Sequence, residues 1–231
     1  MIVRKDDPVH DVGPVAVPKD IAIPTQVVAL IRNSILQGLL SPGEHLNQSL
    51  LARRYSISKV PVREALKQLD AEGLLQHDHN RGYFVARLSR GEARQLYRLR
   101  RWLERELLQN ARWPDADELR ILEELLEKVS GPVDRTNRQE WNEALAEMRF
   151  RIFSLSPDKT LLREARRLWN LTDRYRALFP PNESPTGERK LVEALAAGDR
   201  KRLLAAFERD RVRIEALIEE ALSATPLLWG E

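Results

Sequence analysis

From residue 89 to residue 223 apolar side chains recur at every third or fourth position, and almost no stretch shows the alternation that a strand requires. Such a segment can bury its apolar stripes only by packing helix on helix. Six helices are predicted, over 90–112, 115–130, 138–155, 159–179, 188–197 and 200–222. Pro180-Pro181 stops the fourth, and Gly198-Asp199 follows the fifth. In the first of them Leu96, Leu99, Leu103 and Leu107 are expected to face inward. Upstream the pattern changes. Residues 22–88 mix short helices with a candidate hairpin, and residues 1–20, with Pro8, Pro14 and Pro18, read as a flexible arm. The expected chain is mainly α: an arm (1–20), a small domain of short helices and a hairpin (21–88) and an all-α domain (89–231).

The small domain has readable punctuation. Thr25 is a candidate N-cap for a first helix whose apolar face is Val27, Val28, Ile31 and Ile35, and Gly38 ends it. A second short helix starts at Asn47 and is expected to bury Leu50, Leu51 and Tyr55. A third starts at Ser58, with Pro61 tolerated in its first turn. Its Val62, Ala65, Leu66 and Leu69 face inward, while Lys59, Arg63 and Lys67 share another face. Two short helices joined by a tight turn, the second basic outside, describe a helix-turn-helix whose second helix suits a major groove. Next, two β-prone runs flank Asn80-Arg81-Gly82, a hairpin with a basic tip, or wing. Gly82 lets that tip approach a phosphate or a minor groove, and Arg81 adds a cation.

Charge points the same way only when read locally. The whole chain is nearly balanced, with 38 Lys+Arg against 35 Asp+Glu. Between His45 and Lys67, five basic residues (Arg53, Arg54, Lys59, Arg63, Lys67) face a single acidic one, Glu64. That cluster is the electrostatic footprint of a polyanion binder, or else an ordinary solvated helix face.

The stretch from Thr25 to Ala86 closely resembles the winged helix-turn-helix domain of the GntR superfamily of bacterial transcription regulators. The resemblance rests on Ile35-Leu36-Gln37-Gly38, Pro42-Gly43, Leu51-Ala52, the run from Ser58 to Leu66 (SKVPVREAL), Glu72-Gly73-Leu74 and Asn80-Arg81-Gly82. It implies operator contacts from Ser58, Lys59 and Arg63, and from Arg81 and Gly82 in the wing. Arg53 and Lys67 of the basic cluster are grouped with them as DNA-binding candidates. Two departures stand out. Lys59 is where the family more often has arginine, which exchanges bidentate guanine readout for a point charge. Ser56 is where glycine is usual between the helices.

In the last helix Leu203, Phe207, Asp210, Ile214, Leu217 and Ala221 repeat at alternating spacings of four and three, so Asp210 falls inside an apolar stripe. A buried carboxylate needs a cation, a hydrogen bond or a proton; alternatively the helix turns slightly and Asp210 meets solvent. The all-α segment resembles the FCD domain of the FadR-type branch, through Arg100-x-x-Leu103-Glu104 and Glu193-Ala194-Leu195-Ala196-Ala197-Gly198-Asp199. In many FCD domains an Asp and three His bind a divalent metal. Here those places fall on Leu145, Arg149, Glu188 and Asp210, and the four histidines (His10, His45, His77, His79) all lie elsewhere. No metal and no other cofactor is expected, because Arg149 would repel a cation. Arg149, Glu188, Asp210 and Arg100 instead form two positive and two negative groups. They are either a closed salt-bridge staple or an effector pocket in which Arg149 takes a carboxylate or phosphate. Trp169, Tyr175 and Arg176 are expected to line the same cavity.

Other classes are excluded or disfavoured. Without cysteine there is no disulfide framework, Cys-ligated zinc or thiol catalysis. The 10 glycines form no phosphate-binding loop, and no nucleophile motif is present, so an enzyme built on the Arg149 group is a remote alternative. No apolar run approaches the roughly 18 residues of a membrane span, and no secretory signal is visible at the N-terminus. The resemblance implies a cytoplasmic bacterial regulator, a repressor, that binds a palindromic operator as a homodimer and responds to a small-molecule effector. A regulator with a solid, effector-free helical domain is the main alternative.

Overall fold

In the computed structural model, which describes residues 24–36, 38–87, 89–131, 133, 137–176 and 186–224, the chain divides between Ala86 and Arg87. The division falls two residues ahead of the boundary expected after residue 88. The arm expected over 1–20 and the Pro180-Pro181 stop lie outside the described residues.

The first unit runs α1 (Pro24–Leu36), β1 (His45–Leu46), α2 (Gln48–Arg54), α3 (Lys59–Ala71), β2 (Leu75–Asp78) and β3 (Gly82–Val85). Asn47 stands in extended backbone before α2, and its Oδ1 accepts from the amides of Ser49 (2.9 Å) and Leu50 (3.1 Å). These are two of the donors that a helix start leaves unpaired. Between α2 and α3 the chain turns at Ser56, which has φ +55°. Val27, Ile31, Tyr55, Val62, Leu66, Leu69 and Leu74 close the core. The antiparallel sheet has the order β1-β3-β2, with His77 opposite Tyr83 and His45 opposite Phe84. Strand β1 was not anticipated, because two residues are too few to show a period. Leu50, expected inside, is 48% exposed. On so short a helix the inner side is taken by the next two residues, Leu51 and Ala52.

The second unit comprises α4 (Arg90–Gln109), α5 (Ala116–Ser130), α6 (Arg138–Ser154), α7 (Lys159–Arg176), α8 (Thr186–Ala196) and α9 (Arg200–Ala224). Ser89 caps α4, and Asp115 with Glu118 forms a capping box on α5. The larger apolar core includes Leu107, Leu126, Met148, Phe153, Leu191, Leu195, Leu203 and Phe207. A smaller one holds Ala93, Leu96, Tyr97, Leu168, Tyr175, Ile218 and Leu222. On α4 and α9 a short buried polar stretch lies between residues of the two cores, Arg100 with Glu104 and Asp210 with Arg211, and Thr172 adds a buried hydroxyl on α7. A charged layer thus lies at the border of the two apolar cores, which meet at Leu103.

That layer explains a second correction. Leu99, expected inside, is 43% exposed. The inner face of α4 passes through Arg100 and Glu104, and the residue before Arg100 lies about 100° round the helix. On α9 the buried stripe likewise shifts after Asp210 to Arg211 and Ile218, leaving Leu217 half-buried.

Ser56 supplies a test. An L-residue in the left-handed region costs about 1–2 kcal/mol, of which glycine's extra unfolded-state freedom offsets roughly half. Ser56→Gly is expected to stabilise the first unit by about 0.5 kcal/mol. Hydrogen exchange at amides of α2 and α3 should then slow about twofold; unchanged or faster exchange would show that the turn is not strained.

Candidate functional sites

The basic face of α3 is built by its own amphipathicity. Val62, Ala65, Leu66 and Leu69 are fully buried, which turns Lys59, Val60, Arg63 and Lys67 outward. Glu64 sits between two of the cations, its Oε1 3.2 Å from Lys67 Nζ and 3.5 Å from Arg63 Nε. The Lys67 hydrogen bond, with the charges of Lys67 and Arg63, holds the Glu64 carboxyl below its ordinary range. Ser58 precedes the helix in extended backbone, and its side chain makes no capping bond. Arg53 is exposed in the last turn of α2.

The wing is an Asx turn. Asp78 Oδ1 accepts from the amides of Asn80 (2.9 Å) and Arg81 (3.2 Å), and Gly82 follows with φ +89°. The Arg81 guanidinium rests 5.1 Å from the centre of the Phe84 ring. Asp70 of α3 accepts from the His77 amide at 3.0 Å, which fixes the wing to the recognition helix. Val60 was missed by the sequence reading. It is 60% exposed on the cationic face, and no polar signal marks an apolar side chain as a contact.

In the helical unit Arg149, Glu188 and Asp210 do come together. Arg149 Nη2 donates to Glu188 Oε1 and to Asp210 Oδ2, both at 2.5 Å. The chain of pairs then continues. Asp210 Oδ2 accepts from Arg211 Nη2 (2.9 Å), and Arg211 Nη1 donates to Glu104 Oε2 (3.3 Å). Glu104 Oε1 accepts from Arg100 Nε (2.7 Å), and Arg100 Nη1 donates to Thr172 Oγ1 (2.6 Å). Trp169 lies under this end, with the Arg100 guanidinium 4.3 Å from its ring. All six charged groups are buried, three arginines against three carboxylates. Glu104 and Arg211 were absent from the predicted set. Their signals were positional: Glu104 follows Arg100 by one helical turn, and Arg211 adjoins the anomalous Asp210.

Burial alone would raise the Asp210 pKa; the Arg149 and Arg211 guanidiniums override it and hold the carboxyl well below its usual range. Burial likewise works against the Arg149 charge, but Glu188, Asp210 and Glu104 raise its pKa above the ordinary value. Because Asp210 is depressed in the folded state, its contribution is complete above the unfolded carboxylate pKa and is lost only in strong acid. Among the described residues, Arg149 Nε and Nη1 and Arg211 Nε are buried and find no hydrogen-bond partner.

Tyr175 is placed elsewhere. Its buried hydroxyl accepts from the Ser89 amide at 3.3 Å and lies 3.0 Å from Glu92 Oε2, so it pins the start of α4 rather than lining the Arg149 group. The Arg176 side chain lies outside the described residues. Among the described residues no three His, Cys, Asp or Glu side chains converge to hold a metal ion, and the space between Glu188 and Asp210 is taken by Arg149 Nη2.

The family model for bacterial regulatory proteins of the gntR family matches residues 24–85, and the FCD domain model matches residues 95–212. The chain belongs to the GntR family. The helix-turn-helix model covers α1 to β3, and the FCD model covers the charged layer up to Arg211. A regulator of Bacillus subtilis, YdhC, is 33% identical over 102 residues, 43% of this chain and 45% of its own length. The chain therefore spans about half of that relative. The transcriptional repressor GlaR of Escherichia coli is 33% identical over 155 residues, 64% of this chain and 70% of its own length. The fold matches E. coli McbR/YncC with a TM-score of 0.72 at 21% identity, covering 87% of this chain and 98% of that one. These GntR relatives are named as transcriptional regulators, not as enzymes.

Gly187 gives the charged layer a sharp test. A Cβ there would stand within 2.6 Å of Asp210 Cγ. Replacing a helical glycine by alanine ordinarily stabilises by roughly 0.5–1 kcal/mol. Gly187→Ala is expected to do the reverse and lower the thermal unfolding midpoint, whereas a raised midpoint would show that Asp210 moves aside without loss.

Proposed function

We propose that this GntR-family chain is a transcription repressor that binds a palindromic operator as a homodimer and is modulated by a small-molecule effector held in its helical unit. The observation that carries the DNA-binding part is the outward face of α3, where Lys59, Arg63 and Lys67 stand beside Val60. An arginine there can grip guanine edges, the lysines can meet phosphates, and a valine can pack a thymine methyl. Arg81 needs only to leave the Phe84 ring to reach the backbone or minor groove. Two such helices in a two-fold dimer address half-sites about one helical turn apart. Pairing is supported by apolar side chains exposed on α4 (Leu99, Trp102) and α9 (Val212). The printed name of GlaR supports repression. Such a regulator works where its operator is, in the bacterial cytoplasm; among the described residues no helix is long and apolar enough to cross a membrane.

The unpaired donors of Arg149 and Arg211 support the effector. A buried N–H without an acceptor costs about 1–3 kcal/mol, so a carboxylate or phosphate entering here gains bonds already lacking. To regulate, it must bind the free and DNA-bound arrangements with different affinity. The effector-free reading has its own support, since three positive and three negative groups already neutralise one another.

Selection of bound sequences from a random DNA pool by the full chain tests the first part. A palindromic consensus is expected, and Arg63→Ala should weaken its binding by about 1–3 kcal/mol while relaxing preference at one position. An unchanged affinity at physiological salt removes Arg63 from base reading. The effector is tested by thermal unfolding with metal-free panels of organic acids, sugar acids and acyl-CoAs. A true effector at about 100 times its Kd adds about 2.7 kcal/mol to the wild type. It should add far less to Arg149→Lys, which keeps the charge and loses the planar donors. The absence of any shift across the panel would favour the closed layer.

A further inference from the structure

Glu188 of α8 and Asp210 of α9 converge on a single nitrogen, Arg149 Nη2, whose two N–H groups serve both. We infer that the Arg149 guanidinium is a built-in interior cation, standing where a divalent metal ion would otherwise be held, so that the helical unit is organised without metal. Gly187 of α8 leaves Asp210 the room for its inward position, since a Cβ there would stand 2.6 Å from Asp210 Cγ. Glu104 adds a third negative group to the field on Arg149.

The guanidinium also does what a bare ion does in a helical bundle: it ties elements that the apolar core leaves free to slide. Through Nη2 it joins α6 to α8 and α9. Through Asp210, Arg211, Glu104 and Arg100 the tie reaches α4 and, at Thr172, α7. A guanidinium differs from an ion in two ways. It cannot be removed by a chelator, and it holds its charge at any accessible pH. The inference concerns only the helical unit, and it stands or falls independently of whether the chain reads DNA.

The reach of the side chain supplies the test. A histidine at position 149 is shorter than arginine, and one metal–nitrogen bond restores about the missing length. Arg149→His should therefore create a site of one imidazole and two carboxylates, a donor set that zinc accepts. The full-length wild type, Arg149→His and Arg149→Gln are dialysed against zinc chloride, assayed for metal by mass spectrometry and melted with and without EDTA. The wing imidazoles His77 and His79, with ring centres 5.7 Å apart, can bind some zinc in every variant, so each count is read against Glu188→Gln in the same background.

Arg149→His is expected to take up one zinc per chain beyond wild type. Its unfolding midpoint should rise by several degrees on loading and fall back with EDTA. Arg149→Gln should show neither effect. The wild-type midpoint should be indifferent to zinc and to EDTA. Three results overturn the inference. One is wild-type zinc uptake that Glu188→Gln abolishes. Another is a folded Arg149→His that takes up no additional zinc. The third is an Arg149→His protein that stays unfolded when expressed and purified with zinc, since the cation would then have failed to replace the side chain.

Discussion

A guanidinium buried to 1% exposure between two carboxylates sets the terms for the rest of the helical unit. Taking these charges out of water costs several kcal/mol per ion, and only close geometry with matched hydrogen bonds offsets that cost. The unit meets the requirement by collecting its buried charges in one layer. Each carboxylate of the layer bonds to at least one arginine, and the six buried charges cancel, while the half-exposed Arg213 donates to Asp210 Oδ1 (3.3 Å) from the edge. A charged layer of this kind adds little net stability over an apolar one. What it adds is register. Slide α9 by one turn, and Asp210 leaves Arg149 while an apolar residue enters a polar slot.

The same layer bears on how the unit could transmit a signal. Thr172 and Tyr175 lie one turn apart on α7. The first accepts from Arg100 in the charged layer, and the second accepts from the amide of Ser89, the cap of α4. Arg90 adds a second tie there, donating to the Leu222 carbonyl at 2.7 Å. Ser89 and Arg90, at the start of α4, are thereby held by the body of the helical unit. A ligand that re-pairs Arg149 or Arg211 acts on a network that reaches α7, and α7 holds the first helix after the division. This is physical continuity, and it becomes coupling only if two arrangements of α7 differ in energy with ligand bound.

The first unit was legible almost element by element, because its signals are local. Asn47 and Ser58 start their helices, the glycines mark the turns, and α3 separates apolar from basic positions within four turns. Spacing and hydrophobicity put Leu50 and Leu99 inside, and both lose their places to neighbours that the tertiary packing prefers. For Leu99 the winners were charged. Period analysis counts only apolar residues, so an inner face that runs through Arg100 and Glu104 is drawn one residue out of phase. Val60 failed in the opposite sense, an apolar residue left in water on the cationic face.

The sequence by itself determined the helix-turn-helix, the wing, the six-helix unit and the anomaly at Asp210. Each is written in residues within a turn or two of one another, where 3.6-residue and two-residue periods and capping chemistry act directly. The resemblance to the FCD domain groups Asp210 with Arg149 and Glu188; tertiary structure decided that they bond and that Glu104 and Arg211 join them. Arg149 lies 61 residues from Asp210, Glu188 joins from a third helix, and Glu104 and Arg211 enter because four helices converge on one level. Charge pairing over such separations has no period to read. It exists only once the two apolar cores have set which side chains share the space at their border.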